Sequence, residues 1–343
     1  MTTLYDGCVS RRTPPRNFRP EDASLFAHEL ERTIAPMELI DVANVSVNGD
    51  GLLFKRGRVL RESFAAAETF EHVRKRRLPF LVKNYLLRRR RTLADRFLWI
   101  TDDWSHGYFH WLADVLPRLF AARDLAATVA LLLPSNCDQE FIRASLQLFD
   151  LAGIEYIHPH EVCVTEHLVL PELATQSGSF NDALMRELRD FILDSYGIDR
   201  RSSPNRKIYV SRSRAAKRRI TNEEEVIAVL RDFDFEIVRF EDHPFEQQVR
   251  IAAETKYLVS NHGAGLTNML FMPEGGRVLE LRRDGERERN CFFNLATTAR
   301  LGYYYQCCPQ EHAEDWVHSA NVVVDTRGLR ENLELMLREQ LTS

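Results

Sequence analysis

A glycine-rich turn in the second half of the sequence is the segment most typical of a binding site. It runs from Val259 to Asn268 (VSNHGAGLTN), where strand-like apolar residues give way to small residues and then to a short helical pattern. Small residues let a ligand approach the backbone, and the first turn of a helix offers unpaired N–H groups that attract phosphate. His262 could also donate to a phosphate oxygen. A tight turn that binds nothing is the alternative.

A run of cations follows another predicted strand. Residues 209–219 (YVSRSRAAKRR) place Arg212 and Arg218 just beyond the carboxyl end of that strand, where open α/β sheets bind ligands. A guanidinium can hold a diphosphate through two parallel hydrogen bonds and stabilise its charge as it leaves. A solvated basic loop would explain the charge but not its position. Together with the glycine-rich turn, the run predicts a cradle for a nucleotide diphosphate.

Glu280 stands at the end of the predicted strand RVLEL. An acid at this place can accept hydrogen bonds from the hydroxyl groups of a ribose. A surface carboxylate without a ligand is the alternative interpretation.

The first half of the sequence carries one cluster of polar residues, within DDWSHGYFHWLADVLPR at 102–118. On a helix, His106, His110 and Asp114 follow one another at intervals of four residues and fall on one face. Such a face could supply a general base, since histidine titrates near the working pH. Three ligands along one straight helix spread over about 12 Å, which disfavours a shared metal ion. The alternative is a helix start with a histidine satisfied in the core.

Alternating strands and helices form the frame that must position these residues. The predicted strands are 96–100, 128–134, 207–213, 235–240, 256–265 with its turn, and 277–283, and the predicted helices are 105–122, 138–152, one ending near 197, 222–232, 244–255 and 329–341. This alternation is typical of an α/β fold with a parallel sheet covered on both faces. Before residue 70 the sequence is strand-rich, with a hairpin around Asn48–Gly51.

The length of the chain predicts two domains. Its 343 residues exceed what one core usually holds. The polar segment 199–205 (DRRSSPN) is a plausible linker. We therefore expect a first domain at 1–198, a second at 206–325 and a C-terminal helix at 326–343.

Composition limits the classes of function. The net charge of −4 gives no strong positive field, which argues against a nucleic-acid binder. The six cysteines show no CxxC pair and no zinc-site spacing, so we expect reduced thiols. The N-terminus lacks the apolar core of a signal peptide, and no apolar stretch approaches the ~18 residues of a membrane span. We expect a cytoplasmic location.

One segment, residues 74–91 (RKRRLPFLVKNYLLRRRR), packs basic residues around an apolar middle. A solvated face is the ordinary interpretation of such a run. The alternative is a patch that rests on anionic lipid, as a peripheral contact with the inner face of the cell membrane.

Three segments resemble the glycosyltransferase family 61 group, which includes capsular polysaccharide biosynthesis proteins and was formerly called domain of unknown function 563. They are GYFHWLADVLPRL (107–119), KIYVSRSRAAKRRITNEEEV (207–226) and YLVSNHGAGLTNMLFMPEGGRVLEL (257–281). Their order and spacing are similar to those of the family. The segment before about Arg96 matches nothing recognised.

The resemblance implies a GT-B fold, in which two Rossmann-like domains face each other and the C-terminal one binds the donor. It implies an inverting transfer that needs no metal or other cofactor, with UDP-sugars as the usual donors and a glycan or lipid-linked glycan as acceptor. Arg212 and the run His262–Gly265, which includes Ala264, match the family's diphosphate-binding positions. Asn261 directly precedes this run, and Arg218 lies in the same motif as Arg212. His110 and Asp114 match the motif that faces the cleft, and either of them could be the base.

The sequence thus predicts a glycosyltransferase of surface polysaccharide synthesis, with three alternatives. One is a nucleotide-sugar epimerase or hydrolase on the same fold. Another is a binding module that keeps the cradle but performs no catalysis. The third is a metal-dependent transferase, since Asp102-Asp103 resembles the acidic metal-binding pair of the other glycosyltransferase fold.

Overall fold

The structure is a computed structural model, and it describes residues 2–172, 177–200, 204–287, 290–312 and 320–338. The chain divides into two compact units. The first unit comprises Met1–Cys8 and Thr33–Leu184, and the second comprises Val9–Arg32 and Met185–Ser343. Each unit contains its own sheet, so the predicted α/β class is confirmed.

The strands of the described residues are β1 (Thr2–Tyr5), β2 (Cys8–Arg11), β3 (Glu31–Ile34), β4 (Met37–Asn48), β5 (Leu53–Lys55), β6 (Arg58–Val59), β7 (Arg89–Leu98), β8 (Leu131–Pro134), β9 (Ile154–Ile157), β10 (Glu161–Pro171), β11 (Arg206–Val210), β12 (Glu236–Val238), β13 (Thr255–Asn261), β14 (Arg277–Arg283) and β15 (Gly302–Cys308). The α-helices are α1 (Ala23–Phe26), α2 (Ala67–Lys75), α3 (Arg77–Val82), α4 (Tyr108–His110), α5 (Leu116–Ala121), α6 (Arg123–Ala126), α7 (Glu140–Leu146), α8 (Asp182–Ser195), α9 (Glu223–Arg231), α10 (Phe245–Ala253), α11 (Cys291–Thr298) and α12 (Thr326–Arg338). Two segments are π-helical, Lys83–Leu87 and Trp111–Val115, and Ala264–Phe271 is a 3₁₀ helix.

The first unit is built on a mixed sheet of eight strands. Their order is β6-β5-β4-β10-β7-β8-β9, and β1 also pairs with β4. Strands β10, β7, β8 and β9 are parallel, whereas β4 runs antiparallel to β10. The predicted hairpin is confirmed, because Val47 pairs with Leu53 and the Asn48 side chain accepts from the N–H groups of Asp50 and Leu52. The strand-rich N-terminal region is therefore part of the main sheet.

The second unit contains five parallel strands in the order β12-β11-β13-β14-β15. Alternate apolar residues of these strands point into a core closed by α9 and α12, whose fully buried members include Tyr209, Val259, Leu279, Tyr304 and Leu333. Four of the strands were predicted, and RVLELRR matches β14 at both ends.

Several predicted bounds were wrong for local reasons. The helix expected from Ser105 starts only at Tyr108, because the Asp102 side chain accepts from the backbone N–H of Trp104 and the hydroxyl of Ser105 and holds 102–105 as a turn. The helix expected at 138–152 covers only Glu140–Leu146. Strands β9, β10 and β15 and helices α2, α3 and α11 were not predicted. Residues 201–203 of the predicted linker lie outside the described residues.

Candidate functional site

The strand order of the second unit marks one place for a ligand. The order reverses between β11 and β13, since β12 lies on one side of β11 and β13 to β15 follow on the other. Ligands of open α/β sheets bind beyond the carboxyl ends of the strands at such a switch point. The residues that follow these two strands are Ser211–Arg219, named here the cationic loop, and His262–Gly265 of the glycine-rich turn. The two predicted halves of the cradle therefore follow neighbouring strands.

Arg212 and Gly263 are in direct contact. A Cβ atom placed on Gly263 would lie 2.3 Å from Nη1 of Arg212 and 2.6 Å from its Cζ. The φ angle of Gly263 is 173°, an extended conformation that any residue adopts, so glycine is required by space and not by backbone strain. The same holds at Gly265, where a Cβ would lie 2.9 Å from Cγ1 of Val210. Small residues in the turn thus make room for the guanidinium and for β11.

The guanidinium of Arg212 forms no salt bridge with a described residue, although the charge of Glu241 acts on it. Its Nη2 donates to the carbonyl of Lys217 at 3.4 Å, and its Nε is buried with no hydrogen-bond partner in the described part of the chain. Burial, followed by the positive charge of Arg218, lowers the pKa of Arg212 to about 10 and outweighs Glu241 and Tyr209, which raise it. The group is still cationic at neutral pH. A desolvated cation beside another cation is unfavourable unless an anion binds there.

Arg218 adopts an unusual backbone conformation. Its φ angle is 57°, in the left-handed region that non-glycine residues rarely occupy. Nδ2 of Asn261, at the end of β13, donates to the carbonyl of Arg218 at 2.5 Å. The Oδ1 atom of Asn261 is buried and has no partner among the described residues. The bond from Asn261 therefore fixes the end of the cationic loop against β13, and strain of this kind is often kept at binding sites.

A buried network holds the start of the cationic loop. Oε1 of Glu223, in the first turn of α9, accepts from the hydroxyl of Tyr209 at 2.8 Å and from Oγ of Ser211 at 2.7 Å. Burial, and then the charge of Glu223, raise the pKa of Tyr209 well above its ordinary value, so the phenol remains a donor. The backbone that carries Arg212 is therefore anchored on both sides.

His262 is oriented by a buried acid. Its Nδ1 lies 2.6 Å from Oε1 of Glu280, and the hydroxyl of Tyr303 donates to Oε2 of the same carboxylate at 2.6 Å. Burial raises the pKa of Glu280, but the hydrogen bond and charge of His262 and the further contributions of Arg282 and Tyr303 outweigh it, so the net pKa is lowered. Because a carboxylate only accepts, Nδ1 of His262 is the protonated nitrogen.

Glu280 is 1% exposed and both its oxygens are engaged. The alternative of a surface carboxylate is therefore wrong. The geometry favours a role in positioning His262 over direct contact with a ribose.

A cavity of about 580 Å³ adjoins the cationic loop, and Ser213, Arg219 and Thr221 are among its lining residues. Glu223, Glu224, Glu225 and Glu311 line it as well. This many carboxylates disfavour a phosphate group but suit hydroxyl and amide donors.

In the first unit, His110, Asp114 and Ser177 form a second polar cluster. Nδ1 of His110 lies 2.8 Å from Oδ2 of Asp114, and the Ser177 hydroxyl donates to the same oxygen at 2.6 Å. Asp114 is buried, whereas the His110 side chain is 24% exposed. The carboxylate requires a proton on Nδ1, which leaves Nε2 to take up a proton, as in other histidine bases that a buried acid orients. His106 is exposed and lies before the helix, so it does not share this face.

The two adjacent aspartates have structural contacts. Asp102 accepts from Nη2 of Arg118 at 2.9 Å, with both side chains buried, and Asp103 accepts from the backbone N–H of Ala65 at 2.9 Å. Burial is the main reason that the pKa of Asp103 is raised. Within the described ranges, no group of three or more His, Cys, Asp or Glu side chains is arranged to hold a metal ion.

The structure brings together the predicted residues of each half and adds others. The switch point brings together Arg212, Arg218, Asn261, His262 and Gly263, and Ala264 and Gly265 follow in the chain. In the first unit, His110 contacts Asp114. Sequence reasoning missed Ser177, Tyr303 and Glu223. Ser177 contacts Asp114 across 63 positions of sequence, which no local pattern reveals. Tyr303 belongs to the missed strand β15, whose run of aromatic residues was the available signal.

These features define an α/β protein with a cluster of cationic residues at a switch point of its second sheet. The model of the glycosyltransferase 61 family matches residues 108–279, half of the chain, and this protein belongs to that family. The match contains both polar clusters except Glu280, which follows it by one residue, and Tyr303 of β15, whose hydroxyl donates to Glu280.

Two kinds of characterised protein are similar to parts of the chain. It is 35% identical over 132 residues to the EGF domain-specific O-linked N-acetylglucosamine transferase of Drosophila melanogaster, covering 37% of this chain and 25% of that protein. It is 34% identical over 101 residues to the protein O-linked-mannose beta-1,4-N-acetylglucosaminyltransferase 2 of Bos taurus, covering 28% of this chain and 17% of the relative. The chain thus spans a quarter or less of the length of these relatives.

Proposed function

We propose that this protein transfers a sugar from a nucleotide-diphosphate sugar to a hydroxyl group of a glycan or lipid-linked glycan, without a metal ion and with inversion at the anomeric carbon. The observation that carries the proposal is the guanidinium of Arg212, which lies at the switch point against Gly263, forms no salt bridge with a described residue and has a buried Nε without a hydrogen-bond partner there. Membership of glycosyltransferase family 61 supports the class of reaction. The two relatives named above are both N-acetylglucosamine transferases by name.

In this proposal the second unit binds the donor. Arg212 and Arg218 meet the charge of the diphosphate, and the backbone after His262 contributes N–H donors, as in other anion sites without a metal. The cavity beside the cationic loop suits the nucleoside, because its polar lining can pair with a base and a ribose. We propose UDP as the nucleotide, an assignment that rests on the family resemblance.

The general base of the proposal is His110, with Asp114 as its positioning residue. Nε2 of His110 removes the proton of the acceptor hydroxyl while that oxygen bonds to the anomeric carbon. The bond from this carbon to the diphosphate breaks on the opposite face, and the nucleoside diphosphate leaves with the electron pair. A positioned base of this kind contributes about 10²- to 10⁴-fold in rate.

The wider setting is also a proposal. The GT-B fold with domains at 1–198 and 206–325, and a role in surface or capsular polysaccharide synthesis, rest on the resemblance to the family. A cytoplasmic location agrees with the six cysteines, which form no disulfide among the described residues. No helix within the described ranges has the length and apolar character to cross a bilayer.

The test is a transfer assay in the presence of EDTA. The protein is incubated with a panel of UDP-sugars, with and without oligosaccharide acceptors, and products are identified by mass spectrometry and NMR of the new linkage. An acceptor-dependent product of inverted configuration supports the proposal, and His110→Ala should abolish that product while nucleotide binding persists.

Other outcomes would contradict it. Release of free sugar at the same rate without acceptor would indicate a hydrolase, and an altered sugar still attached to the nucleotide would indicate an epimerase. Nucleotide binding that Asp114→Asn leaves intact, with no turnover of any donor by the wild type, would indicate a binding module. Activity that EDTA removes would indicate a metal-dependent transferase.

A further inference from the structure

Exposed apolar side chains are concentrated in one short segment of the first unit. Of the nine large hydrophobic residues that are exposed in the described part of the chain, five lie between positions 78 and 87. Leu78, Leu86 and Leu87 are 73%, 76% and 73% exposed. Single exposed apolar residues are ordinary, but a contiguous group marks a surface that contacts something apolar.

The segment is held in place by its opposite side. Phe80 and Tyr85 pack their rings on Phe54 of β5, with centroids 5.2 and 5.9 Å from that ring. Asn84 is fully buried, and its Oδ1 accepts from the side chains of Asn48 and Arg88 at 2.9 and 3.0 Å. The exposed leucines are thus presented to solvent by a fixed turn of helix.

Cations surround these leucines. Residues 74–91 contain nine arginines and lysines and no acid. Lys83 and Arg88 share Asp50, Arg74 pairs with Glu71, and Arg91 pairs with Glu155. Arg76, Arg77 and Arg89 form no ion pair with any described residue. The patch is therefore both apolar and strongly positive.

We propose that the surface formed by residues 74–91 docks on an anionic lipid bilayer, with Leu78, Leu86 and Leu87 inserted among the acyl chains and the arginines at the headgroups. Amphipathic helices with a basic rim and leucine on the inserted face bind membranes in this way. A second copy of the same patch would bring the unpaired Arg76, Arg77 and Arg89 of each copy against like charges. A nucleic acid would pair with the arginines but would leave the three leucines in water. The proposal is independent of the function proposed above.

Flotation with vesicles tests this surface. Phosphatidylcholine vesicles containing phosphatidylserine should carry the full chain, and pure phosphatidylcholine vesicles should not. Leu78→Gln/Leu86→Gln/Leu87→Gln should weaken binding at least tenfold, because burial of apolar side chains is lost. Leu335→Gln, at another exposed leucine, is the matched control and should bind like the wild type.

A second triple variant tests the charge. Each basic residue near an anionic surface is worth about fivefold in affinity, so Arg76→Gln/Arg77→Gln/Arg89→Gln should bind about a hundredfold more weakly. Arg231→Gln, an exposed arginine of α9, should bind like the wild type. Circular dichroism melting verifies that all variants are folded, as expected for exposed positions.

Equal binding to both kinds of vesicle, no binding to either, or full binding by the leucine variant would each overturn the proposal. The proposal would also be overturned if the protein bound a single-stranded oligonucleotide but not vesicles, and the leucine variant kept that oligonucleotide binding. A monomer–dimer equilibrium that is lost in the leucine variant, without vesicle binding, would assign the patch to a second copy of the chain.

Discussion

Arg118 in the first unit is buried and Arg212 in the second is partly buried, and their surroundings differ in charge. Arg118 is fully buried, donates to Oδ2 of Asp102 at 2.9 Å and also donates from Nε to the carbonyl of Asp114 at 3.0 Å. Arg212 forms no salt bridge with a described carboxylate, and its pKa is lowered by Arg218 more than Glu241 raises it. The Arg118 guanidinium is thus paired within the protein. In the proposed function, the diphosphate of the donor supplies the anion that pairs with Arg212.

Under the proposed function, this difference separates a residue that stabilises the fold from a residue that binds the donor. Removing one partner of a buried ion pair leaves the other charge without compensation, which destabilises the folded state. Removing an uncompensated cation leaves no buried charge behind. The two arginines should therefore respond in opposite ways to the same substitution, and the predictions below begin with the largest effect.

Arg118→Ala should lower the free energy of unfolding by about 3–5 kcal/mol, because Asp102 is then buried without its partner. Urea denaturation measures the loss. The control is Arg143→Ala, which removes an exposed pair with Asp138 and should leave the free energy of unfolding nearly unchanged. Equal effects of the two substitutions would show that the Asp102–Arg118 pair is not structural.

Arg212→Ala should leave the unfolding free energy within about 1 kcal/mol of the wild type and reduce the transfer rate roughly a hundredfold, equivalent to about 3 kcal/mol in the transition state. Arg214→Ala is the matched control, since Arg214 belongs to the same loop but is exposed and paired with Asp242. Steady-state kinetics with saturating acceptor gives the ratio of the wild-type transfer rate to that of each variant. A strong loss of stability in Arg212→Ala with a normal transfer rate would contradict the prediction, because Arg212 would then behave as expected for Arg118.

Glu280→Gln should cost about 2 kcal/mol of stability at neutral pH, because the bonds that His262 and Tyr303 donate to a charged acceptor are weakened. The pKa of Glu280 is lowered from its ordinary 4.5, so this contribution is fully present above that pH and is lost as the pH falls through the folded-state value. Denaturation of the wild type and of Glu280→Gln at a series of acidic pH values tests the direction of this pH dependence. The difference should shrink as the pH falls below about 4.5, and a difference that grows would contradict it.

Gly263→Ala should weaken nucleotide binding about tenfold, since the methyl group occupies the space of the Arg212 guanidinium and one well-placed contact is lost. Gly302→Ala is the control, because a Cβ there would meet its nearest neighbour at an ordinary 3.5 Å. Calorimetric titration with the nucleotide measures both. Unchanged affinity in Gly263→Ala would mean that the position of Arg212 against the turn does not matter for binding.

Much of the second unit could be predicted from sequence because each strand there is a short apolar run followed by polar or small residues. The carboxyl ends of parallel strands share one edge, so Arg212 and His262 could be assigned to the same edge without knowing the strand order. The order itself, which makes this edge a switch point, is a property of long-range pairing and has no local signal.

Other features were not predictable for the same reason. Val9–Arg32 belongs to the second unit, where Phe26 packs on Phe293 and Tyr305 more than 260 residues away in sequence. The π-helical turn at Trp111–Val115 interrupts a pattern that is helical throughout in sequence. Glu280 was correctly placed near the end of its strand, but its partners His262 and Tyr303 depend on the neighbouring strands.

The most direct test of the central claim is calorimetric titration of the wild type and of Arg212→Ala with UDP and GDP, with EDTA present throughout. We expect the wild type to bind UDP without a metal ion and the variant to lose that binding while it melts at the same temperature. Wild-type affinity in the variant, or no binding of either nucleotide to the wild type, would contradict the assignment of Arg212 as the cation that binds the diphosphate.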